Sequence, residues 1–444
     1  MLQKERLHKT PIFIAVMFIL YLFVALNCNL AFMPSNQYIA VGDPLIPEQY
    51  SPPRWLQMKI HSELDLLTPE GKKITGGELI PGKAVPVAGV PGRLDMQYRL
   101  LGLFPLHHTV VNVVPVKRVI PGGHSIGVLL HARGVIVAGL TAVQDRSGTK
   151  VCPASRAGIA SGDVILGING RPVNSDRQLR DEISRCGAGG KPVLLEVRRG
   201  TKVFNTTVQP VLCPETGRYC IGLYIRESAA GVGTLTFYDP EARKYGALGH
   251  VIADLNTSKK IDLINGSIVQ AAVQGIHPGR RGRPGEKVGL FRGEGMKGNI
   301  EKNTTFGIFG TLEKPLSNPY YRQPVPVALA YQVKRGPAEI LTVLHENKIE
   351  RFRIEIVQVM PQARPDGKGM VIRVTDPRLL QAAGGIIQGM SGSPIIQDGK
   401  FAGAVTHVFV NDPARGYGVQ AEWMLLEAGL LPGPADIEKP RKAA

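Results

Sequence analysis

The sequence predicts a mainly β protein behind a single N-terminal transmembrane anchor, and three observations lead there. Glycine (52) and proline (34) are plentiful among 444 residues, and the apolar runs between them are short and rich in Val and Ile, which suits hairpins and turns better than long helices. The pairs Asn169-Gly170 and Asp398-Gly399 each separate two apolar runs, the strongest short hairpin signal. At the N-terminus, Lys4, Arg6 and Lys9 precede an aliphatic and aromatic run from Pro11 to Leu26 that continues to Met33. A helix of that length matches a ~30 Å hydrocarbon layer, and the basic flank sets its start in the cytoplasm. Everything after it is then expected to be extracytoplasmic.

Composition narrows the function. The formal net charge is +17, but no aromatic-interleaved basic motif and no zinc-ligand spacing accompanies it, so no nucleic-acid partner is expected; a basic face towards an anionic membrane fits better. Five cysteines, odd in number and dispersed, indicate neither a disulfide scaffold nor a metal site. Cys213 and Cys220 bracket a short turn and are either two buried thiols or a pair in an oxidising compartment. No cofactor is expected.

Taken in order, residues 1–35 read as the anchor, uncleaved because no convincing small-x-small cleavage site follows the run. Residues 36–120 read as a linker and a small β region, with a Pro-, Gln- and Ser-rich tether up to about residue 60 and turn groups such as Pro69-Glu70-Gly71 and Pro91-Gly92 beyond it. Residues 121–212 form a sharper unit. Gly122 and Gly123 make a turn into the strand from Ser125, and the run from Ala157 to Val173 carries a tight Asn-Gly turn. Ser175 and Gln178 make a capping box for a helix with Leu179, Ile183 and Cys186 on one face and Gly187 as its stop. Residues 225–435 read as a further β domain, in which the glycine- and arginine-rich stretch from Ile276 to Lys302 is expected as surface loops. Residues 436–444 are expected to be a loose tail.

Within the last domain, Gly389-Met390-Ser391-Gly392-Ser393-Pro394 places a serine in a glycine-flanked turn before the Asp398-Gly399 hairpin. Glycines there let a substrate carbonyl approach main-chain N–H groups, which is what acyl transfer by serine needs. A serine hydroxyl also needs a base, usually histidine, oriented by a carboxylate. His250 ends a Gly-Ala-Leu-Gly strand, and His407 lies in an apolar run that reads as core or rim. For the acid, Asp376-Pro377 and Asp412-Pro413 share one dipeptide, and Asp376 also reads as a helix N-cap with proline at the first position. The residues alone leave that choice open.

Two resemblances go further. The run Ala157-Gly158-Ile159-Ala160-Ser161-Gly162-Asp163-Val164-Ile165-Leu166-Gly167-Ile168-Asn169-Gly170 resembles a bacterial PDZ domain over residues 121–212. The resemblance implies a strand edge to which a peptide adds, with Ser125, Ile126, Gly127 and Val128 presenting N–H groups to its carboxylate. Gly246-Ala247-Leu248-Gly249-His250, Val374-Thr375-Asp376-Pro377-Arg378-Leu379-Leu380, and Gly389 to Ile396 with Gly403 to Pro413 resemble the SpoIVB peptidase family, in the same order of anchor, PDZ segment and peptidase. That resemblance implies a membrane-associated serine endopeptidase with a trypsin-like double β-barrel. By matching positions it implies His250 as general base, Asp376 as orienting acid, Ser391 as nucleophile, and the N–H groups of Gly389 and Ser391 as oxyanion hole. Met390 stands where ordinary trypsin-like enzymes carry an aspartate that pairs with a freshly cut N-terminus, so control is expected from the PDZ domain instead. The family further implies self-cleavage in the N-terminal region. It also implies a signalling role in endospore formation between forespore and mother cell, where cleavage of a membrane-bound regulator triggers pro-sigma factor processing. The competing expectations are a PDZ scaffold with an inactive protease domain and an envelope quality-control protease of the HtrA type.

Overall fold

The computed structural model describes residues 34–47, 56–62, 66–67, 73–74, 78–79, 86–100, 104–173, 175–253, 263–360 and 367–433. The expected anchor run lies outside them, as does the tail. Among the described residues no helix is long and apolar enough to cross a membrane.

The first module is a five-stranded sheet built from β1 (Asn36–Ala40), β2 (Leu56–Ser62), β3 (Glu78–Leu79), β4 (Gly92–Leu100) and β5 (Phe104–Val114), in the order β1-β5-β4-β2-β3. Alternate residues Leu94, Met96 and Tyr98, with Val111 and Val113 across the ladder, point to one face and bury it. Part of the segment expected as a tether is therefore a strand: β1 runs parallel to β5, with Asn36 opposite Val110.

Beyond it, β6 (Arg118–Pro121) leads to β7 (Ser125–Leu140), a strand long enough to serve two bodies. The unit expected to be a PDZ domain follows with α1 (Pro153–Arg156), β8 (Val164–Ile168), α2 (Asp176–Ala188), β9 (Val193–Arg199) and β10 (Lys202–Val208). Its core gathers Val135, Val137, Ile165, Leu179, Ile183 and Leu195. The Ser175 hydroxyl caps α2 by accepting the Gln178 N–H at 3.1 Å, as its box predicts. Gly187 is not the stop: the helix runs on to Ala188, and Gly187 lies inside it because a Cβ there would stand 2.4 Å from the Tyr219 side chain. Asn169 (φ 51°) and Gly170 (φ 76°) make the predicted left-handed turn. Cys213 and Cys220 are free thiols.

The part expected to be the peptidase begins with β11 (Leu223–Asp239), β12 (Lys244–Ala247), β13 (Leu263–His277), β14 (Glu286–Asn299), β15 (Lys302–Thr304) and β16 (Gly307–Thr311). β13 and β14 pair as a ribbon, so much of the stretch expected as surface loops is strand. It continues with β17 (Gly336–His345), β18 (Lys348–Val359), β19 (Met370–Val374), α3 (Pro377–Ala383), β20 (Pro394–Gln397), β21 (Lys400–Phe409), β22 (Asp412–Gln420) and α4 (Ala421–Glu427). These close a six-stranded barrel in the order β17-β18-β19-β22-β21-β20, filled by Ile340, Phe352, Ile354, Ile372 and Ile395. Asp398 (φ 49°) and Gly399 (φ 73°) turn β20 into β21 as their dipeptide predicts.

Only one of the two expected barrels is closed among the described residues. Where the other was expected, the strands belong to a thirteen-stranded sheet that also contains the PDZ strands. The cause is β7 and β11. Ser125 to His131 of β7 pair with Ser228 to Thr234 of β11 in the peptidase part, and Ile136 to Leu140 pair with Leu223 to Arg226 in the PDZ part. A register break between His131 and Ile136, with Gly134 at φ +91°, separates the halves.

Candidate active site

Ser391 sits in a turn between Gly389 (φ 90°) and Gly392 (φ 93°), conformations that favour glycine. At Gly392 a Cβ would lie 2.1 Å from the Thr234 carbonyl and 2.5 Å from the Leu248 nitrogen. The serine turn is thus pressed against both β11 and the turn that carries His250.

The loop's peptides are pinned one by one. The Lys287 N–H donates to the Gln388 carbonyl at 3.0 Å, the Met390 N–H to the Ile387 carbonyl at 3.1 Å, and the Ser393 N–H to the Met390 carbonyl at 2.9 Å. Thr234 holds two more: its N–H donates to the Ser391 carbonyl at 2.9 Å and its hydroxyl to the Gly389 carbonyl at 2.8 Å. In a planar trans peptide the carbonyl and the N–H point opposite ways, so fixing the carbonyls of Gln388 and Met390 also fixes the N–H groups of Gly389 and Ser391. Neither N–H has an acceptor among the described residues, whereas those of Met390, Gly392 and Ser393 do. Two adjacent, fixed and unspent donors are what an oxyanion hole requires.

His250 follows β12 through Leu248 (φ 70°) and Gly249 (φ 73°). Its Nδ1 lies 2.8 Å from the Val251 carbonyl, which fixes the neutral ring with Nδ1–H donating and Nε2 left as an acceptor. Burial pushes the imidazole below its ordinary value, so it is a free base near neutrality. Asn303 braces Ile252, two residues after His250, from both sides, accepting its N–H and donating to its carbonyl, each at 2.9 Å.

Ser391 and the turn that carries His250 are both packed against the strand around Thr406. The Ser391 hydroxyl donates to the Thr406 carbonyl at 2.8 Å; a Cβ on Gly249 would lie 2.9 Å from Thr406 Cγ2; and the His250 and His407 rings stand 5.0 Å apart. Among the described residues no hydrogen bond joins Ser391 to His250. Among the described residues no hydrogen bond or ion pair joins Asp376 to this pair. It is the N-cap of α3, with Pro377 at the first helical position, and its oxygens are filled by the Arg378 N–H (3.0 Å), the Arg378 guanidinium (2.9 and 3.1 Å) and the Arg353 N–H (3.2 Å). The Arg378 guanidinium first, then the two backbone donors, hold its carboxyl down at about 2. Asp412 begins β22, a strand of the closed barrel.

The expected carboxylate-binding turn needs correcting. Ser125, Ile126, Gly127 and Val128 lie in the first half of β7, paired with Thr234 to Gly231 on one side, and Ile126 to Val128 pair with Gln270 to Ile268 on the other. A strand hydrogen-bonded along both edges has no N–H groups to spare for a peptide terminus. The sequence motif misled because in this chain the strand after the turn is shared with the peptidase sheet.

Thr234, Lys287 and the Val251 carbonyl were not found by sequence reasoning. The one faint signal is the alternation Thr234-Leu235-Thr236-Phe237, which puts two threonines on the face opposite two core residues, and both threonines are fully buried.

The profile of the SpoIVB peptidase S55 family matches residues 217–425, and that of the PDZ domain matches residues 127–209. A Clostridium perfringens protein that carries the name of a zinc metalloprotease is 39% identical over 71 residues, which is 16% of this chain and 20% of that protein. The chain therefore spans about a fifth of that curated relative's length. Similar solved structures include the PDZ domain of an SdrC-like protein from Listeria monocytogenes, 22% identical over 21% of this chain and 87% of that one, with a TM-score of 0.17. Another is the active form of the Rv3671c protease from M. tuberculosis, 16% identical over 49% of this chain and 78% of that one, with a TM-score of 0.25. On the two family matches, this chain carries a serine peptidase domain of the SpoIVB S55 family joined to a PDZ domain.

Proposed function

We propose that the peptidase works through Ser391 as nucleophile and His250 as general base, with the N–H groups of Gly389 and Ser391 as oxyanion hole. The observation that carries this reading is that the Ser391 hydroxyl and Gly249, the residue before His250, both lie against Thr406, with the His250 ring beside His407, next to two pinned, unspent N–H donors. On substrate binding the serine hydroxyl turns from the Thr406 carbonyl to His250 Nε2, which takes its proton as Oγ attacks the scissile carbonyl. The oxyanion that forms is met by the two N–H groups. The imidazolium returns its proton to the leaving amine, and water then hydrolyses the acyl-enzyme by the same route. The Val251 carbonyl fixes the His250 tautomer, the part an orienting acid plays elsewhere. Asp376, filled by arginine donors, supports the barrel and not the imidazole.

The substrate class is a protein; the match to the SpoIVB peptidase family suggests a sporulation role, in which the substrate would be a membrane-bound regulator. Self-cleavage in the N-terminal region, anchoring by the apolar run before residue 34, and an extracytoplasmic location belong to the same proposal. So does a regulatory PDZ domain.

A fluorophosphonate probe tests the core of the reading. Wild type is expected to be labelled at Ser391 and to cleave peptide, and Ser391→Ala to do neither while keeping its fold. Lack of labelling in the wild type overturns the reading. It would favour the scaffold alternative, which draws on the serine hydroxyl being bonded to Thr406 rather than to His250. Broad cleavage of unfolded casein would instead revive an envelope quality-control role.

A further inference from the structure

Lys287, which the proposed chemistry does not use, is 5% exposed inside the peptidase domain, yet its side-chain nitrogen has no carboxylate partner among the described residues. Its Nζ donates to the Thr342 hydroxyl at 2.8 Å. Its aliphatic stem lies directly beneath Gly389: a Cβ built there would meet the Cβ, Cγ and Cδ of Lys287 at 3.1–3.3 Å. Its own N–H fixes the Gln388 carbonyl at 3.0 Å, and the Gln388 N–H donates in turn to the Gly285 carbonyl at 2.8 Å. One residue thus touches the first oxyanion-hole peptide through main chain and side chain together.

We propose that Lys287 is a positioning residue for the oxyanion-hole loop: its uncharged side chain is the strut on which Gly389 rests, and protonating it unseats the loop. The proposal builds on the assignment of Gly389 and Ser391 made above. A bare ammonium in such a site is costly, because burial disfavours the charged form of a base with nothing to offset it. Burial alone pushes this amine down to about 7.

The charged groups on the neighbouring elements do not compensate. On the β13–β14 ribbon, Glu286 is exposed and engaged with His277. Across the barrel ladder from Thr342, Glu350 acts on Arg378, which is itself held by Asp376. The loop from Ile387 to Ser391 brings no acidic or basic side chain. Loss of activity on the acid side should therefore begin near neutrality. That is earlier than His250 would impose, since its imidazole is held below its ordinary value.

Two measurements on the full chain test this. In the first, pH profiles of kcat/KM for a peptide substrate are compared. Lys287→Met, which keeps the stem and removes the charge, is expected to move the acid limb down by about half a pH unit or more. Lys287→Ala, which removes the strut, is expected to lower kcat by about tenfold or more with KM little changed. An acid limb unmoved in Lys287→Met overturns the proposal. The second does not depend on activity: hydrogen exchange of the peptides around residues 285–288 and 388–390 in wild type. Corrected protection is expected to fall between pH 8 and pH 6, and constant protection overturns the proposal even if Ser391 is labelled normally. If protection falls but Ser391 is never labelled, the strut stands and the assignment of the nucleophile fails.

Discussion

Asp376 shows how one residue type in one dipeptide can serve two ends. Asp-Pro at a helix start satisfies a first-turn N–H and meets a proline that needs none, so capping alone accounts for the motif. Arg378 then completes the carboxylate's shell. Asp376→Asn is expected to destabilise the domain by about 1–2 kcal/mol in urea unfolding and to change kcat/KM by less than about tenfold. A loss approaching the ~10⁴ that follows removal of an orienting aspartate would show that Asp376 reaches His250 in the working enzyme. The pH sign follows from the depressed carboxyl. Its contribution is fully present above the ordinary carboxylate range and is lost as pH falls through about 2. Asp376→Asn should therefore resist further acid destabilisation in that range relative to wild type, by comparison of acid unfolding curves. Ser391 and His250, the proposed nucleophile and base, stood out in the sequence because each lies beside glycines in a turn with a local signature. Thr234 and Lys287 were not, because their roles come from the packing of β11 and the β13–β14 ribbon against a loop far away in sequence.

Among the elements, β7 and β11 matter most, since each begins in one body and ends in the other. The PDZ part of β11, Leu223 to Arg226, is hydrogen-bonded to Ile136 to Leu140, while Ile221, Leu223 and Ile225 fill the same core as Leu179 and Ile183 of α2. Beyond the register break, the same strand reaches Thr234 and grips the serine loop. The hairpins, α2 and the turns around Ser391 and His250 could be read locally, but the sharing of strands could not, because a long alternating run carries no mark of where it changes partners. A fragment of residues 121–212 is therefore expected to lack a cooperative urea transition, whereas residues 132–228 should show one by circular dichroism. The apolar side chains missing from the shorter piece are each worth about 1.5–3 kcal/mol, a large share of the roughly 5–15 kcal/mol that stabilises a domain. Equal stability of the two fragments would mean that β11 is no part of the PDZ unit.

At the scale of the whole molecule, the first module is sewn to the peptidase by a small polar cluster over an apolar seam. The Tyr331 hydroxyl is bonded to the Asp43 carboxylate and accepts the Ala40 N–H at 3.3 Å, and the Gln332 amide donates to Asp43 at 2.7 Å. Tyr38 reaches the Pro432 carbonyl at 3.0 Å. Beneath these bonds Tyr38, Ala40 and Val114 share one core with Phe237, Phe401, Met424 and Leu425, so the seam contains strands from the module, the shared sheet, the closed barrel and helix α4. A core shared by the module, the peptidase strands of the large sheet and the barrel gives none of these three a private unfolding step. Tyr331→Phe removes the hydroxyl while keeping the ring, and leaves Asp43 and the Ala40 N–H short of a partner, at a cost of about 1–3 kcal/mol. That loss should appear equally in hydrogen-exchange opening energies of β5 and of β21, and Asp43→Ala combined with it should cost less than the sum of the two single changes. Destabilisation confined to β1–β5, with the barrel strands untouched, would show that the module is a separate domain resting on the peptidase and that the shared seam does not couple their folding.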